Sequence, residues 1–332
     1  MSTDALLSLD GLSVDFAVSH GTVHAVRGVS LDVHRGEVVG VVGESGSGKS
    51  ATMLALLGLL APNARVSGSA TFDGTQVIGL AGEQLRRLRG GRIGMIFQDP
   101  MTSLNPVLTV GRQIAETIEV HQPTLRPKQV VTRVQELLEM VAIPNAAERM
   151  RAYPHELSGG MRQRVMIAMA LANEPELIIA DEPTTALDVT IQAQILEVLG
   201  ELRRRTNTAM VIITHDLGVV AGVADRVNVM YAGRVVERGA VDDVFHANNH
   251  PYTAGLLACL PRLDRRDQSI DPIGGAPPLL DRLPTGCSFA PRCPAATAAC
   301  EQGEPVLREV GATTVACHLA PSAVRREAVV AS

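Results

Sequence analysis

A glycine-rich segment near residue 45 has the residue types and spacing of a loop that binds phosphate. It consists of Gly43, Glu44, Ser45, Gly46, Ser47, Gly48, Lys49 and Ser50, and it fits the pattern G-x-x-x-x-G-K-[ST]. Glycine lets backbone N–H groups turn inward around phosphates, and the N-terminus of a following helix adds partial positive charge. We therefore expect Lys49 to reach the terminal phosphates of a nucleotide and the Ser50 hydroxyl to bind Mg²⁺.

The lysine of this loop is one of two in the chain. Of 30 basic residues only Lys49 and Lys128 are lysines, and the other 28 are arginines. A compact ammonium on a flexible stem fits a phosphate loop, whereas the broad guanidinium of arginine does not. The sequence thus favours nucleotide binding over the alternative, a glycine-rich turn that arose by chance. Lys128 lies in a polar segment and is expected at the surface.

Two acidic residues follow a second apolar run. Leu177–Ala180 is typical of a buried strand, and Asp181 and Glu182 come directly after it. The Asp181 carboxylate can hold Mg²⁺, usually through water. Glu182 can polarise an attacking water molecule as a general base. The alternative is a pair of exposed acids that cap the strand.

The segment Leu157–Gln163 predicts a second helix start that can bind an anion. Ser158 is expected to begin the helix, and Ser158 and Gly160 leave a hydroxyl and backbone N–H groups free there. Apolar residues then recur at helical spacing, which predicts that one face packs in the core. That face comprises Met161, Val165, Ala168, Met169 and Ala172.

The elements that must position these residues alternate between strand and helix. The expected strands are 38–42, 177–180 and 211–213, and the expected helices are 49–60 and 189–205. Such alternation indicates a parallel sheet with crossover helices. An edge hairpin is expected around Ala232-Gly233, and residues 100–172 are expected to be mainly helical.

Composition excludes several classes of protein. The net charge of -5 argues against a general nucleic-acid binder. No run reaches the ~18 continuous apolar residues of a membrane span. The N-terminal segment carries Asp4 and no basic region, so it does not resemble a signal peptide. We therefore expect a cytoplasmic protein, in which cysteines are more often free or metal-bound than paired in disulfides.

The order of these segments resembles the ATP-binding subunit of an ABC transporter over about residues 6–245. The matching motifs are the phosphate loop (Walker A), Gln98 (Q-loop), 157–163 (signature), Asp181-Glu182 (Walker B), Ala186-Leu187-Asp188 (D-loop) and His215 (switch histidine). The resemblance implies an α/β fold: a RecA-like P-loop NTPase core with an antiparallel β edge and an inserted α-helical subdomain, plus a small C-terminal extension that contains cysteines. It places the core at 1–98 and 173–249, the helical subdomain at 99–172 and the extension at 250–332.

The same resemblance implies roles for individual residues. Gln98 would sense the γ-phosphate and share Mg²⁺ with Ser50 and Asp181, and His215 would hydrogen-bond the γ-phosphate. The expected nucleotide contacts also include Ser158, Gly159, Gly160 and Asp188, with Ser158 and Gly160 binding the γ-phosphate held by a second cassette. The functional unit would be a head-to-tail pair of cassettes with two ATP molecules between them.

The adenine base needs an aromatic platform near the N-terminus. Phe16 is the best match because its ring can stack on the base, and His24 is the alternative. Phe16 could instead be a core residue.

Two strings, 98–106 and 250–253, and much of the tail resemble the oligopeptide, dipeptide and nickel uptake group. The group implies an ATP-hydrolysing subunit that powers import of peptides, with nickel or another small solute as the runner-up. An ATP-switched soluble regulatory or assembly protein is the alternative from a different class. The implied partners are a second ATP-binding subunit in a heterodimer, two transmembrane permease subunits and an extracytoplasmic substrate-binding protein. The chain would lie peripherally on the cytoplasmic face of the cell membrane.

Four of the five cysteines fall in the extension. Cys287, Cys293, Cys300 and Cys317 have 5, 6 and 16 residues between them. Four thiolates suit an iron–sulfur cluster or a structural zinc, and free or paired thiols are the remaining alternative. Matching cysteines in the uptake group are associated with a 4Fe-4S cluster, which is therefore predicted by resemblance. Cys259 lies on an apolar helix and is expected in the core.

Overall fold

The structure is a computed structural model, and it describes residues 5–185, 188–260 and 273–320. The strands are β1 (Ala5–Val18), β2 (Gly21–His34), β3 (Val38–Val42), β4 (Ala64–Phe72), β5 (Thr75–Gln76), β6 (Ile93–Ile96), β7 (Leu177–Asp181), β8 (Ala209–Thr214), β9 (Arg226–Tyr231), β10 (Arg234–Ala240), β11 (Arg308–Val310) and β12 (Thr313–Val315). The helices are α1 (Lys49–Leu56), α2 (Gly82–Leu88), α3 (Pro100–Ser103), α4 (Val110–His121), α5 (Pro127–Met140), α6 (Ala146–Arg149), α7 (Gly159–Leu171), α8 (Val189–Thr206), α9 (Leu217–Ala221), α10 (Val241–Ala247) and α11 (Pro251–Ala258).

The chain divides into two compact units. The first unit contains Val33–Val38 and Gly79–Ile213, together with the first residues described. The second unit contains Leu7–Asp32, Val39–Ile78 and the described chain from Thr214 onward.

The first unit is built around the parallel strands β6, β7 and β8. Ile93 of β6 pairs with Leu177 of β7, and Ile178 pairs with Met210 of β8. Every residue of β7 is buried, which explains why its sequence is a continuous apolar run rather than an alternating one. Helices α3 to α7 follow β6 without an intervening strand, so the prediction of a helical stretch at 100–172 is confirmed.

Helix α1 is shorter than the expected span of 49–60. It ends at Leu56 because Gly58 adopts a left-handed conformation, with φ of 58°. The N–H of Gly58 donates to the Ala55 carbonyl at 3.0 Å, and the N–H of Leu59 donates to the Leu54 carbonyl at 2.9 Å. This pair of bonds satisfies the last carbonyls of the helix and stops it.

The second unit contains a mixed sheet and a separate antiparallel one. In the mixed sheet β3 pairs with β9 in parallel, and β9, β10, β12 and β11 follow one another as antiparallel neighbours. The predicted hairpin turns at Ala232-Gly233, where both residues have positive φ, of 46° and 82°. The separate sheet has the order β2-β1-β4-β5.

The C-terminal extension is part of the core of the second unit. The rings of Tyr231 and Tyr252 lie 4.6 Å apart, and Phe289 lies 5.3 Å and 5.4 Å from them. All three side chains are buried, so Tyr252 of α11 and Phe289 together fix the extension to β9. Cys259, expected in the core, is only half-buried.

His250 gives the second unit a dependence on pH. The side chain is 1% exposed, and its Nδ1 accepts a hydrogen bond from the N–H of Tyr252 at 3.1 Å. Burial lowers the pKa of His250 to about 4. The unfolded chain takes up the proton near pH 6.5, so the stability present at pH 7 declines as the pH falls towards 4.

We expect the free energy of unfolding to fall by roughly 2 kcal/mol between pH 7 and pH 5 because of this histidine alone. His250→Asn keeps an acceptor at the start of α11 and removes the titration. Urea unfolding at pH 7 and at pH 5 measures this decrease in the free energy of unfolding, and we expect it to be larger in the parent protein than in the variant. The buried Glu237, whose pKa burial raises, is common to both proteins and cancels. An equal decrease in the two proteins would contradict the assignment of this pH dependence to His250.

Within the described ranges, no helix combines the length and the apolar character needed to cross a bilayer.

Candidate functional site

The phosphate loop lies in the second unit, between the buried strand β3 and helix α1. Gly48 precedes the helix with φ of 96°, a conformation that residues with a Cβ rarely adopt. A Cβ on Gly48 would collide with the carbonyl oxygen of Ala25. The tight turn predicted from the sequence therefore depends on glycine at this position.

Lys49 is drawn back into its own loop. Its side chain is 5% exposed, and Nζ donates to the carbonyl oxygens of Gly43 at 2.7 Å and Glu44 at 2.9 Å. The Ser47 hydroxyl is a third acceptor, at 3.4 Å. The ammonium thus lies at the centre of the loop, surrounded by oxygen atoms. A phosphate oxygen is a stronger partner for it than any of these neutral acceptors.

The rest of the loop varies in exposure. Ser45 and Gly46 are exposed, and Ser50 is half-buried at the start of α1.

Phe16, the expected adenine platform, is half-buried on β1 and pairs with Ala64. The alternative, His24, is exposed, and its Nδ1 lies 2.6 Å from the Asp15 carboxylate.

Glu182 is held by two neutral donors in the first unit. The amide Nε2 of Gln98 donates to its Oε2 at 2.9 Å, and the hydroxyl of Thr185 donates to the same oxygen at 2.7 Å. The backbone of Glu182 has φ of 48°, which is uncommon for a residue other than glycine. Backbone strain of this kind is concentrated at active sites and ligand-binding sites. The structure therefore brings together two predicted site residues, Gln98 and Glu182, and adds Thr185.

Asp181 and His215 lie at the carboxyl ends of strands β7 and β8. Asp181 is the last residue of β7 and is 6% exposed. His215 comes directly after β8 in the second unit and is exposed. Carboxylate and hydroxyl oxygens are ligands that Mg²⁺ prefers, so the donor chemistry of Asp181 and Ser50 fits that ion.

The signature segment forms the start of α7, as predicted. Ser158 is the N-cap, and its hydroxyl accepts from the N–H of Met161 at 3.3 Å. Ser158 and Gly159 are exposed, whereas Gly160 is buried. A Cβ on Gly160 would lie 2.8 Å from Cγ2 of Ile191 on α8, so glycine allows these two helices to approach closely.

Asp188 has a structural role of its own. Its carboxylate accepts from the N–H of Ile191 at 3.0 Å and caps the N-terminus of α8. The two preceding residues of the D-loop, 186 and 187, lie outside the described residues.

The four cysteines of the extension lie in the second unit as free thiols. Cys287 and Cys293 are half-buried, and Cys300 and Cys317 are buried. Burial raises the pKa of Cys287 and Cys293, and the neighbouring thiols Cys300 and Cys317 act in the same direction. Among the residues described, no three His, Cys, Asp or Glu side chains are arranged to hold a metal ion. The structure therefore does not support the predicted metal site, whether zinc or iron–sulfur.

The sequence predictions missed three residues that contact predicted site residues. Thr185 lies three residues after Glu182 and donates to its carboxylate, and Tyr252 and Arg292 contact Glu44 from the extension. The signal for the last two was present, because they occur in strings that resemble the uptake group.

Comparison with known proteins covers both parts of the chain. The ABC transporter family matches residues 26–185, and the family described as oligopeptide/dipeptide transporter, C-terminal region, matches residues 236–300. The chain is 53% identical to the oligopeptide transport ATP-binding protein OppD of Escherichia coli, over 91% of this chain and 90% of that protein. It is 51% identical to the dipeptide transport ATP-binding protein DppD of Bacillus subtilis, over 91% and 90%.

One solved structure with the same fold is an ATP-binding cassette dimer in a post-hydrolysis state, bound to ADP and Pi. It has a TM-score of 0.64 and 28% identity, and it covers 71% of this chain and 98% of that one. The likeness establishes the P-loop NTPase fold that the motifs predict.

Proposed function

We propose that this chain, which belongs to the ATP-binding proteins of the ABC transporter family, hydrolyses ATP to power the import of peptides. The observation that carries the proposal is the similarity to peptide transport ATP-binding proteins over 91% of the chain. That similarity spans the phosphate loop and also the extension, which matches the oligopeptide and dipeptide group.

The ATP site that we propose uses the motifs identified in the sequence. The phosphate loop holds the β- and γ-phosphates, with Lys49 as its cation, and Phe16 stacks on the adenine. Glu182 accepts a proton from the attacking water, while Gln98 and Thr185 orient its carboxylate. His215 donates a hydrogen bond to the γ-phosphate. Ser50, Asp181 and Gln98 would hold Mg²⁺, which supplies charge neutralisation to the phosphates.

A pair of cassettes is the proposed functional unit. Ser158 and Gly160 would reach the γ-phosphate held by the second cassette, and Gly159 and Asp188 would lie beside it. The exposure of Ser158 at the start of α7 supports such a role. We propose a heterodimer, bound to two transmembrane permease subunits on the cytoplasmic face of the membrane and supplied by an extracytoplasmic substrate-binding protein.

The proposed domain organisation follows the same family pattern. The ATP-binding core comprises 1–98 and 173–249, the helical subdomain 99–172 and the extension 250–332. The unbroken series of helices from α3 to α7 supports the boundaries of the helical subdomain.

Reconstitution tests the transport function. The full complex, co-purified with the products of neighbouring genes, is placed in liposomes that contain ATP. We expect uptake of a labelled oligopeptide that depends on ATP, and we expect no uptake with Lys49→Ala. Uptake of nickel in place of peptide would overturn the substrate assignment. Co-purification without any permease would favour the regulatory alternative.

An iron–sulfur cluster at the four cysteines remains a proposal on the chemistry of the donors alone. Four thiolates can ligate a 4Fe-4S cluster, and the backbone N–H of Cys287 bonds to the Cys300 carbonyl at 2.7 Å. That bond links two segments that carry these ligands. Cys287, Cys293, Cys300 and Cys317 would hold the cluster, which would serve as a structural brace in a part of the chain with little regular structure.

Anaerobic purification and metal analysis test the cluster. We expect about four irons per chain in the parent protein and a loss of most iron in Cys293→Ser. Cys259→Ser is the matched control, since Cys259 lies on α11's C-terminal end and outside the proposed ligand set. Iron-free protein, or stoichiometric zinc, would contradict the cluster.

A further inference from the structure

The phosphate loop contains an acidic side chain, Glu44, at a position that must attract anions. A carboxylate near a bound triphosphate repels it, and the repulsion is strong where water is partly excluded. The Glu44 side chain is 28% exposed, so solvent screens it only in part. A loop that binds ATP therefore requires something to neutralise this charge.

Arg292 of the extension meets that requirement. Its Nη1 lies 2.6 Å from Oε2 of Glu44, and its Nη2 lies 2.9 Å from Oε1, so the pair is bidentate. The Arg292 side chain is only 4% exposed. Hydrogen bonding to Glu44 raises the pKa of Arg292 further, so the guanidinium is charged throughout the physiological range.

The guanidinium is fixed on every side. Its Nε donates to the Gly274 carbonyl at 2.9 Å, and Nη2 also donates to the Ile273 carbonyl at 3.2 Å. Its Nη1 also donates to the Tyr231 hydroxyl at 3.3 Å. With the two bonds to Glu44, all five N–H groups of the arginine have acceptors. Such an arrangement sets the position of the Glu44 carboxylate rather than following it.

A second contact from the extension side holds the backbone of the loop. The hydroxyl of Tyr252 accepts from the N–H of Glu44 at 2.9 Å. Tyr252 packs against Tyr231 and Phe289, and Arg292 lies 5.8 Å above the Tyr231 ring. Tyr252 therefore fixes the backbone of Glu44, and Arg292, which lies over the Tyr231 ring, fixes its side chain.

We propose that Arg292 is a positioning residue for ATP binding: it neutralises and holds Glu44, and so keeps the phosphate loop electropositive and in shape. The proposal rests on the ATP site proposed above.

A double-mutant cycle on the full complex tests this inference, with the affinity for a non-hydrolysable ATP analogue as the readout. Arg292→Gln leaves the Glu44 charge uncompensated, and we expect about a tenfold weaker affinity and a matching rise in KM, with kcat changed less. The defect should shrink at high salt. Glu44→Gln combined with Arg292→Gln removes both charges, and we expect it to recover most of the affinity that Arg292→Gln alone loses.

Arg308→Gln is the matched control. Arg308 is also an arginine of the extension, but its Nη2 donates to the carbonyls of Cys317 and Ala320 and not to the loop. We expect it to change thermal stability without changing analogue affinity. If Arg292→Gln does not fold, Arg292→Lys, which keeps the charge and loses the bidentate geometry, should show an intermediate affinity.

Two results would overturn the inference: unchanged affinity in Arg292→Gln, or a double variant as weak as the single one. Lys49→Ala separates this failure from failure of the ATP site. If Lys49→Ala loses ATP binding while Arg292→Gln keeps it, only the role of Arg292 is wrong. If both bind normally, the proposed ATP site is wrong as well.

Discussion

Glu182→Gln should bind ATP with near-normal affinity and lose nearly all turnover, on the order of 10²- to 10⁴-fold. The amide has the shape of the carboxylate and can still accept the hydrogen bond from Thr185. It cannot accept a proton from water. Because the left-handed backbone and the two donors hold the side chain in place, we expect the defect to lie in chemistry rather than in binding.

The rate of phosphate release by the full complex measures the defect in chemistry, and the affinity for a non-hydrolysable ATP analogue measures any defect in binding. Glu201→Gln is the control, since Glu201 is paired with Arg204 and Arg205 on the exposed surface of α8. We expect the control to keep full turnover. Normal phosphate release by Glu182→Gln would remove Glu182 from the reaction.

The second large effect is expected at Lys49. Lys49→Ala removes the ammonium that bonds to the carbonyls of Gly43 and Glu44, and it removes the principal positive charge of the loop. We expect ATP affinity to fall by at least about 10²-fold, as loss of a charge-assisted contact to phosphate implies. Turnover should fall with it.

The chain offers a natural control in its second lysine. Lys128 is exposed on α5, as predicted from the sequence, so Lys128→Ala has the same change in charge at a distant surface. We expect unchanged nucleotide affinity there. Equal affinities in Lys49→Ala and the parent protein, measured by equilibrium titration with the analogue, would contradict the role of the loop.

Much of the fold could be predicted from local pattern. The buried strands β3, β7 and β8 were identifiable because strands covered on both faces need continuous apolar runs. The end of α1 was harder, since the apolar residues continue to Leu60 and only the left-handed Gly58 stops the helix. Periodicity does not reveal a backbone conformation of this kind.

The functional residues also divide into those that local sequence pattern identifies and those that it does not. Motif spacing identified Lys49 and Glu182, because phosphate binding and water activation demand those residue types. It did not identify Arg292, whose partner Glu44 lies 248 residues away in the chain. Contacts over such separations depend on tertiary packing, and a single sequence carries no direct record of them. The cysteines show the converse, since the four thiols and the resemblance suggested a metal site that the arrangement of the described residues does not support.

The pairing of β12 with β10 has a consequence for the solubility of shortened chains. Glu237 of β10 stands opposite Val315, and its carboxylate accepts from the Thr313 hydroxyl at 3.2 Å. A chain cut before β11 would expose the N–H and C=O groups along that side of β10, together with a buried acid that has lost a partner. Open strand edges recruit other strands. We therefore expect truncation of the extension to cause aggregation of the protein before any defect in catalysis can be measured.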